Sequence, residues 1–306
     1  MSKQIPDFLI NKLTSQYGEK LTNKIIEGYT KTRPVTLRVN TIKTTVENVK
    51  NKLREEDIDF NEVEWHKDAL IINNIREDKI RELSIYKNGE IYLQSLSSML
   101  PPIILDAKEK ENILDMAAAP GGKTTQIGAM TNNNASITAC EFNKIRAEKL
   151  KYNIEKQGLT NCFVMVTDGR RLDDFFSFDK ILLDAPCSGS GIINFEEVDF
   201  DKGFTERLIK KCIDTQKQLL RKAIRILKPG GEMVYSTCSI LKEENEEIVK
   251  QILKQSNVET MPINMEKYKE LPLLPVTIAG TICVCPNELY EGFYIAKIRK
   301  IKKLYL

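Results

Sequence analysis

Two cysteines stand where a nucleophile could work. Cys187 lies in Asp184-Ala185-Pro186-Cys187-Ser188-Gly189-Ser190-Gly191, and Cys238 in Tyr235-Ser236-Thr237-Cys238-Ser239. Each follows an apolar run and sits among small and polar residues. A thiolate is the competent nucleophile, and its pKa falls beside a cation or a helix start; Lys123 is a candidate cation. Asp184 supplies a carboxyl group able to carry a proton. One such cysteine reads as structural, but two of them beside an acid read as a reactive pair, and either thiol could be the nucleophile. Cys140, Cys162, Cys212, Cys283 and Cys285 lie in or beside apolar segments and read as packing residues. The single histidine, His66, leaves no material for a Ser-His-Asp or Cys-His triad. There is no CxxC, and Cys283-Val284-Cys285 lacks a partner pair, so no metal site is expected.

A second group of residues could hold a cofactor. Ala117-Ala118-Ala119-Pro120-Gly121-Gly122-Lys123-Thr124 is a loop of small residues that opens a helix. Such a loop admits a ligand close to the backbone and leaves unused N–H donors at the helix start. Gly122-Lys123-Thr124 fits the end of a phosphate loop, but Ala117 occupies the place of its first glycine. A nucleotide hydrolase with Asp184 as the magnesium-binding acid is therefore a rival reading. Glu141 ends an apolar stretch, where an acid suits a ribose diol; taken alone it reads as a helix N-terminal acid. Asp168-Gly169-Arg170 follows a further apolar stretch.

These residues must be positioned by strands. From Asn112 onward the pattern repeats strand, loop, helix. Strands are expected at 113–116, 136–140, 163–166, 180–183 and 232–236, with helices at 123–130, 143–156, 205–227 and 243–253. Lys228-Pro229-Gly230-Gly231 reads as the stop of the long helix. Two late strands, 281–285 and 292–298, close the chain. Alternation of this kind implies a mainly parallel sheet covered on both faces. Ligands bind such sheets beyond the carboxyl ends of the strands, where all five polar sets are expected to converge. Before residue 93 the pattern is a small α+β region: a helix over 5–30, a strand at 35–40, a helix at 45–54, then short strands and turns. Pro101-Pro102 reads as an interruption near the boundary.

Composition is that of a globular chain. Its 306 residues are 42% hydrophobic and 29% charged, and no stretch approaches the ~20 apolar residues of a membrane span. There is no signal-peptide core, so seven scattered cysteines read as reduced thiols of a cytoplasmic protein. The formal charge of +3 says little, but nine Lys/Arg between Lys202 and Lys228 face only Glu206 and Asp214. The tail adds Lys297, Arg299, Lys300, Lys302 and Lys303, offset by Glu243, Glu244, Glu246 and Glu247. A charge run is first of all a solvated helix face; its sharper reading is a phosphate-facing patch.

Asp115 to Thr124, Asp184 to Gly191 and Tyr235 to Ser239 resemble the cofactor loop and the two cysteine motifs of the RNA cytosine-C5 methyltransferases of the Sun/Nop family. Arg38-Val39-Asn40-Thr41, Gln94-Ser95-Leu96-Ser97-Ser98, and Pro286-Asn287 with Glu291-Gly292-Phe293 resemble further segments of that family, so the likeness covers nearly the whole chain. Ala117 departs from the Cys of many members, and Glu141 from a common Asp. The resemblance implies a Rossmann-like S-adenosylmethionine-dependent methyltransferase domain over 93–306 and an α+β RNA-recognition region over 1–92. It implies that Ala117, Ala118, Ala119, Pro120, Gly121, Gly122 and Lys123 wrap the cofactor, that Glu141 takes its ribose and Asp168 its adenine, and that Arg146 belongs to its surroundings. Asp184 would stand between cofactor and base, Cys238 would be the nucleophile and Cys187 would assist release. The expected product is 5-methylcytosine in tRNA or rRNA, made by a monomer that engages RNA and no membrane. A silent RNA-binding relic and a DNA methyltransferase are the other rivals. Retention of both thiols argues against the relic, and a second thiol at Cys238 favours RNA over DNA.

Overall fold

Polar residues ahead of apolar runs start the helices, and glycines and prolines shape the elements between them. The computed structural model describes residues 5–195 and 204–302. Lys202 and Lys303 of the basic segments lie outside the described residues. The chain divides into two units, Met1–Arg33 with Leu183–Leu306, and Pro34–Leu182.

Helix α1 (Asp7–Tyr29) belongs to the first unit and buries Leu9, Leu13 and Ile25. Sequence spacing predicts one continuous helix here. Instead it breaks at Gly18, whose φ of 77° and ψ of 163° are not helical.

The second unit opens with β1 (Val35–Val39) and α2 (Val46–Glu55). The Thr45 hydroxyl caps α2 by accepting from the Asn48 amide at 3.2 Å. Next come β2 (Phe60–Glu62), β3 (Ala69–Ile72), α3 (Glu77–Glu82), α4 (Ser84–Lys87) and β4 (Ile91–Leu93). The two short helices fall where only strands and turns are expected. The strands form an antiparallel sheet in the order β2-β3-β1-β4. Leu37, Val39, Val49, Leu53, Leu70, Ile72 and Ile80 make its core.

Pro101 and Pro102 do not interrupt the chain. Both sit inside α5 (Leu96–Leu105). Proline cannot donate to the carbonyl four residues back; for Pro102 that carbonyl, on Ser98, accepts from the Gln94 side-chain amide at 3.1 Å instead. Then follow β5 (Asn112–Asp115), α6 (Gly122–Met130), β6 (Ser136–Cys140), α7 (Lys144–Gln157), β7 (Cys162–Met165) and β8 (Phe178–Asp184). β5 pairs in parallel with β6 and β8, and β6 with β7. This is the alternating parallel order expected, and β8 carries the chain into the first unit.

In the first unit, α8 (Glu206–Ile226) starts at a Thr205 cap and buries Ile209, Leu219, Leu220 and Ile224. The helix ends just ahead of Lys228-Pro229-Gly230-Gly231, as expected, but β9 (Leu227–Thr237) follows with no intervening turn, so the same segment also opens a strand. Two features allow this. The Lys300 ammonium donates to the Ile224 and Leu227 carbonyls, each at 2.7 Å, closing the end of α8. Pairing of β9 with its neighbour β13 begins only at Glu232, beyond Pro229. α9 (Glu246–Gln255), β10 (Val258–Thr260), β11 (Leu273–Leu274), β12 (Thr281–Val284) and β13 (Phe293–Lys300) complete the chain. Their pairings, β11 with β12 and β13 with β12, β9 and β10, are all antiparallel. β12 and β13 are joined by a short loop, which permits antiparallel pairing and leaves no room for a crossover helix.

His66 lies between β2 and β3, only 7% exposed, and its Nε2 has no hydrogen-bond partner among the described residues. Burial, reinforced by the positive charges of Arg38 and Lys67, pushes its pKa down from 6.5 to about 4. The folded protein thus holds the imidazole neutral while the unfolded chain protonates it. Stability from this group is complete above pH 6.5 and is lost as pH falls toward 4, by about 3 kcal/mol in all. Melting curves of the wild type and of His66→Leu should diverge across that window, the wild type falling more steeply toward low pH. Parallel curves would contradict the assignment.

Candidate active site

Each unit holds one set of chemistry-bearing residues. In the second unit, β5, β6 and β7 are parallel neighbours, so their carboxyl ends share an edge. At the end of β5, Asp115 is buried and accepts from the Thr124 hydroxyl at 2.7 Å. This ties the strand to the first turn of α6 across the loop Met116–Gly121. Ala118 donates its amide to the Cys140 carbonyl at 2.8 Å, the Ala119 carbonyl accepts from Arg146 at 2.8 Å and the Pro120 carbonyl from Asn153 at 2.8 Å. Ala117 and Gly122 are half-buried. Gly121 caps α6 with φ 110°, a conformation that costs a residue with a Cβ. A helix start has no internal acceptors for its first-turn amides, and the loop leads directly into that turn at Gly122.

Glu141, 3% exposed, follows β6. One carboxylate oxygen accepts from the Asn143 amide at 2.8 Å and the other lies 3.6 Å from Arg146. Arg146 thereby bridges Glu141 and the Ala119 carbonyl, which brings together two residues read as cofactor neighbours. Asp168 is engaged locally. It accepts from the Arg170 amide and pairs with the Arg170 guanidinium, and that hydrogen bond lowers its pKa. The Lys123 ammonium donates to the Ser98 hydroxyl at 2.7 Å.

Arg38 supports this loop from β1. It is 1% exposed, and burial pulls its pKa down to about 10, so it stays charged at neutral pH. Its guanidinium donates to the Gln94 side chain at 3.2 Å and to the Thr125 hydroxyl at 3.1 Å. Gln94 in turn donates to the Gln126 side chain at 2.9 Å.

In the first unit the two singled-out cysteines meet. Cys187 Sγ and Cys238 Sγ are 3.0 Å apart, both thiols free and both residues half-buried. The Ala185 amide donates to the Ser236 carbonyl at 2.8 Å, and Asp184 accepts from the Ser236 hydroxyl at 2.8 Å. These bonds align the residues after β8 with the end of β9. Gly191 donates to the Cys238 carbonyl at 2.9 Å, and a Cβ on Gly191 would stand 2.1 Å from the Gly292 carbonyl oxygen. Only glycine permits that approach. The Cys187 pKa is raised well above the ordinary thiol value, first by its hydrogen bond with Cys238 and then by burial. Burial also raises Cys140, Cys162 and Cys283 to about 12 and Cys212 and Cys285 to about 11.

Glu244 is absent from the site residues read from the sequence, yet the structure places it against both cysteine segments. Its carboxylate has no exposed surface and accepts from the Ser188 amide (2.8 Å), the Ser188 hydroxyl (2.5 Å), the Ser239 hydroxyl (2.6 Å) and the Gln216 amide (3.2 Å). Ser188 adjoins Cys187 and Ser239 adjoins Cys238, so one buried anion clamps both thiol loops. The residue lies in the acidic run Glu243-Glu244-Asn245-Glu246-Glu247, which reads as a solvated face. Asn245, interrupting the run, is the only hint otherwise.

The profile of the 16S rRNA methyltransferase RsmB/F family matches residues 102–299, and that of the RsmF/B-like ferredoxin-like domain matches residues 5–77. The Homo sapiens 28S rRNA (cytosine(4447)-C(5))-methyltransferase is 34% identical over 96% of this chain and 38% of its own length. The ribosomal RNA small subunit methyltransferase F of Shewanella piezotolerans is 35% identical over 88% of this chain and 58% of its own. The chain thus spans well under two thirds of these curated relatives. A crystal structure of a methyltransferase homolog protein from Pyrococcus horikoshii aligns at a TM-score of 0.80 with 31% identity, covering 97% of this chain and 100% of that one. With one profile spanning most of its length and a second matching its N-terminal region, the chain belongs to the 16S rRNA methyltransferase RsmB/F family, the Sun/Nop group that its cysteine motifs resemble.

Proposed function

We propose that this protein is an S-adenosylmethionine-dependent RNA cytosine-C5 methyltransferase acting on ribosomal RNA. The observation that carries the reading is the pair of thiols 3.0 Å apart next to Asp184. The names of the relatives favour rRNA over tRNA as substrate. The N-terminal region, 1–92, recognises RNA and the region 93–306 carries the chemistry.

The loop residues fit the cofactor. Ala117 to Lys123 wrap its amino-acid end, with Gly121 in a left-handed conformation that a residue with a Cβ adopts only under strain. Glu141 takes the ribose hydroxyls, Asp168 the adenine amino group, and Arg146 holds Glu141 to the loop. When bound, S-adenosylmethionine supplies an electrophilic methyl group.

Cytosine C5 is a poor nucleophile. Addition of the Cys238 thiolate to C6 turns C4–C5 into an enamine-like nucleophile. Asp184 delivers hydrogen bonding or a proton at N3, which favours the addition. After methyl transfer the C5 proton passes to water, the C6–S bond breaks with its electron pair on the Cys238 sulfur, and the proton at N3 returns to Asp184. Cys187 suits this release step. Its raised pKa keeps it a neutral thiol, able to give a proton toward the departing Cys238 sulfur. Lys123, read from the sequence as a cation near the thiols, acts in this reading on the cofactor loop through Ser98. The target base must leave its stack to reach such a site, and the basic residues of α8 serve as backbone contacts.

The direct test is incubation with methyl-labelled S-adenosylmethionine and separate pools of unmodified rRNA and tRNA, followed by digestion to nucleosides. Label in 5-methylcytidine from rRNA is expected. Label only in tRNA would move the substrate, and label in another nucleoside would overturn the reaction. Cys187→Ala should accumulate a denaturation-resistant protein–RNA adduct and Cys238→Ala should form none; the reverse pattern would exchange the two roles. Glu244→Gln keeps the shape but turns an amide toward serine donors. It should lower unfolding free energy by about 1–3 kcal/mol in denaturant titrations and cut adduct yield while RNA affinity holds. Unchanged adduct yield would show that the clamp does not set the thiols.

A further inference from the structure

A pocket in the second unit lies outside the residues assigned so far, apart from Pro120. It encloses about 380 Å³ and is lined by Arg81, Tyr86, Tyr92, Lys149, Tyr152 and Lys156, among others, with no Asp or Glu among its described lining residues. Lys149, Tyr152, Asn153 and Lys156 follow helical spacing of three, four and seven and so share one face of α7. The Tyr152 side chain is solvent-facing, with the residue 61% exposed. The Lys156 ammonium sits 3.7 Å from the Tyr86 ring centroid and 5.8 Å from that of Tyr152. The Arg81 guanidinium lies 5.2 Å from the Tyr86 centroid and is held there by Glu77 and the Tyr86 hydroxyl. Burial and the neighbouring Arg81 and Lys43 charges lower the Lys156 pKa, as expected where cations crowd together.

Arg81 is paired with Glu77, but Lys149 and Lys156 have no carboxylate partner among the described residues and call for an anion, and an exposed ring beside them offers a stacking face. Phosphate and base at this spacing are the two ends of a nucleotide. Stacking on Tyr152 requires the base to be unpaired. Asn153, also in the lining, donates to the Pro120 carbonyl of the cofactor loop and approaches the Tyr92 hydroxyl at 3.5 Å. We propose that this pocket binds one unpaired nucleotide of the substrate RNA, its base on Tyr152 and its phosphate between Lys149, Lys156 and Arg81. The proposal rests on the RNA methyltransferase reading and adds a subsite for a nucleotide other than the target cytosine.

Binding of a short fluorescent single-stranded RNA, and of an abasic ribose-phosphate chain of equal length, tests it without any turnover. Tyr152→Ala should weaken the RNA by about 5- to 100-fold and leave the abasic chain unchanged. Lys149→Gln with Lys156→Gln should weaken both and flatten the salt dependence by about 0.7 in logarithmic slope for each phosphate no longer neutralised. These side chains project from a helix surface, and thermal melting checks that the variants fold. Equal weakening of RNA and abasic chain by Tyr152→Ala would overturn the stacking. Variants that bind like the wild type would overturn the site. If the wild type makes 5-methylcytidine in rRNA while the variants keep its RNA affinity and KM, the pocket falls and the methyltransferase stands. If no methylation occurs but Tyr152→Ala still loses RNA selectively, the pocket stands and the activity reading falls. A wild type that binds no RNA removes both.

Discussion

The thiol pair depends on a buried anion. A carboxylate cut off from water is costly unless hydrogen bonds replace its hydration, and Glu244 takes its replacements from residues that adjoin the two cysteines and from Gln216 of α8. The strand ends alone would not fix the sulfurs. β8 and β9 bring Ala185 and Ser236 together, but Cys187 and Cys238 lie beyond them, where each loop could otherwise wander. Tyr235 adds a bond from its hydroxyl to the Glu244 backbone carbonyl at 2.6 Å, so the clamp is itself anchored to β9. The close approach of Gly191 to Gly292 removes the remaining slack.

The second unit solves the same problem with the opposite charge. Arg38 is a buried cation whose bonds run to Gln94 and Thr125, the latter in the first turn of α6. A β1 residue far from the loop in sequence thereby holds the helix that presents the loop. Apolar residues of equal volume at either position would leave buried amides and hydroxyls without partners. They could not dictate direction, because dispersion contacts carry little orientation while charge-assisted hydrogen bonds do. Polar anchors appear where loops must hold one geometry, and apolar cores appear where strands need only pack.

Much of this arrangement was legible in the sequence. Strand β6 was readable residue for residue, and α6, α7 and α8 to within a residue or so, because apolar periodicity and polar caps at Asn143 and Thr205 agree with the tertiary structure. The pairing of Cys187 with Cys238 followed from placing both after strands. What escaped depends on distant partners. Pro101 and Pro102 look like breakers, and nothing local shows that Gln94 satisfies the Ser98 carbonyl freed by Pro102. Lys228 to Gly231 reads as a helix stop, and nothing local shows that Lys300, more than seventy residues on, closes the helix end while a strand begins at once. Glu244 looks solvated because its neighbours in sequence are acidic, while its neighbours in space are hydroxyls and amides. Local composition cannot report a non-local donor.

The resting chemistry of the thiols follows from the same geometry. Oxidation of cysteine tracks thiolate character and exposure, and this chain suppresses both at most of its thiols. Burial lifts the five packing cysteines to values near 11 or 12. Cys187 is lifted by its hydrogen bond with Cys238, by burial and by the nearby Glu244 charge. The anion that positions the pair therefore also opposes a second negative charge beside it. In the proposed mechanism this is an asset, because release needs a neutral thiol next to the departing sulfur. The buried Glu244 carboxylate thus bonds to a neighbour of each cysteine and adds its charge to the hydrogen bond and the burial that keep Cys187 a thiol.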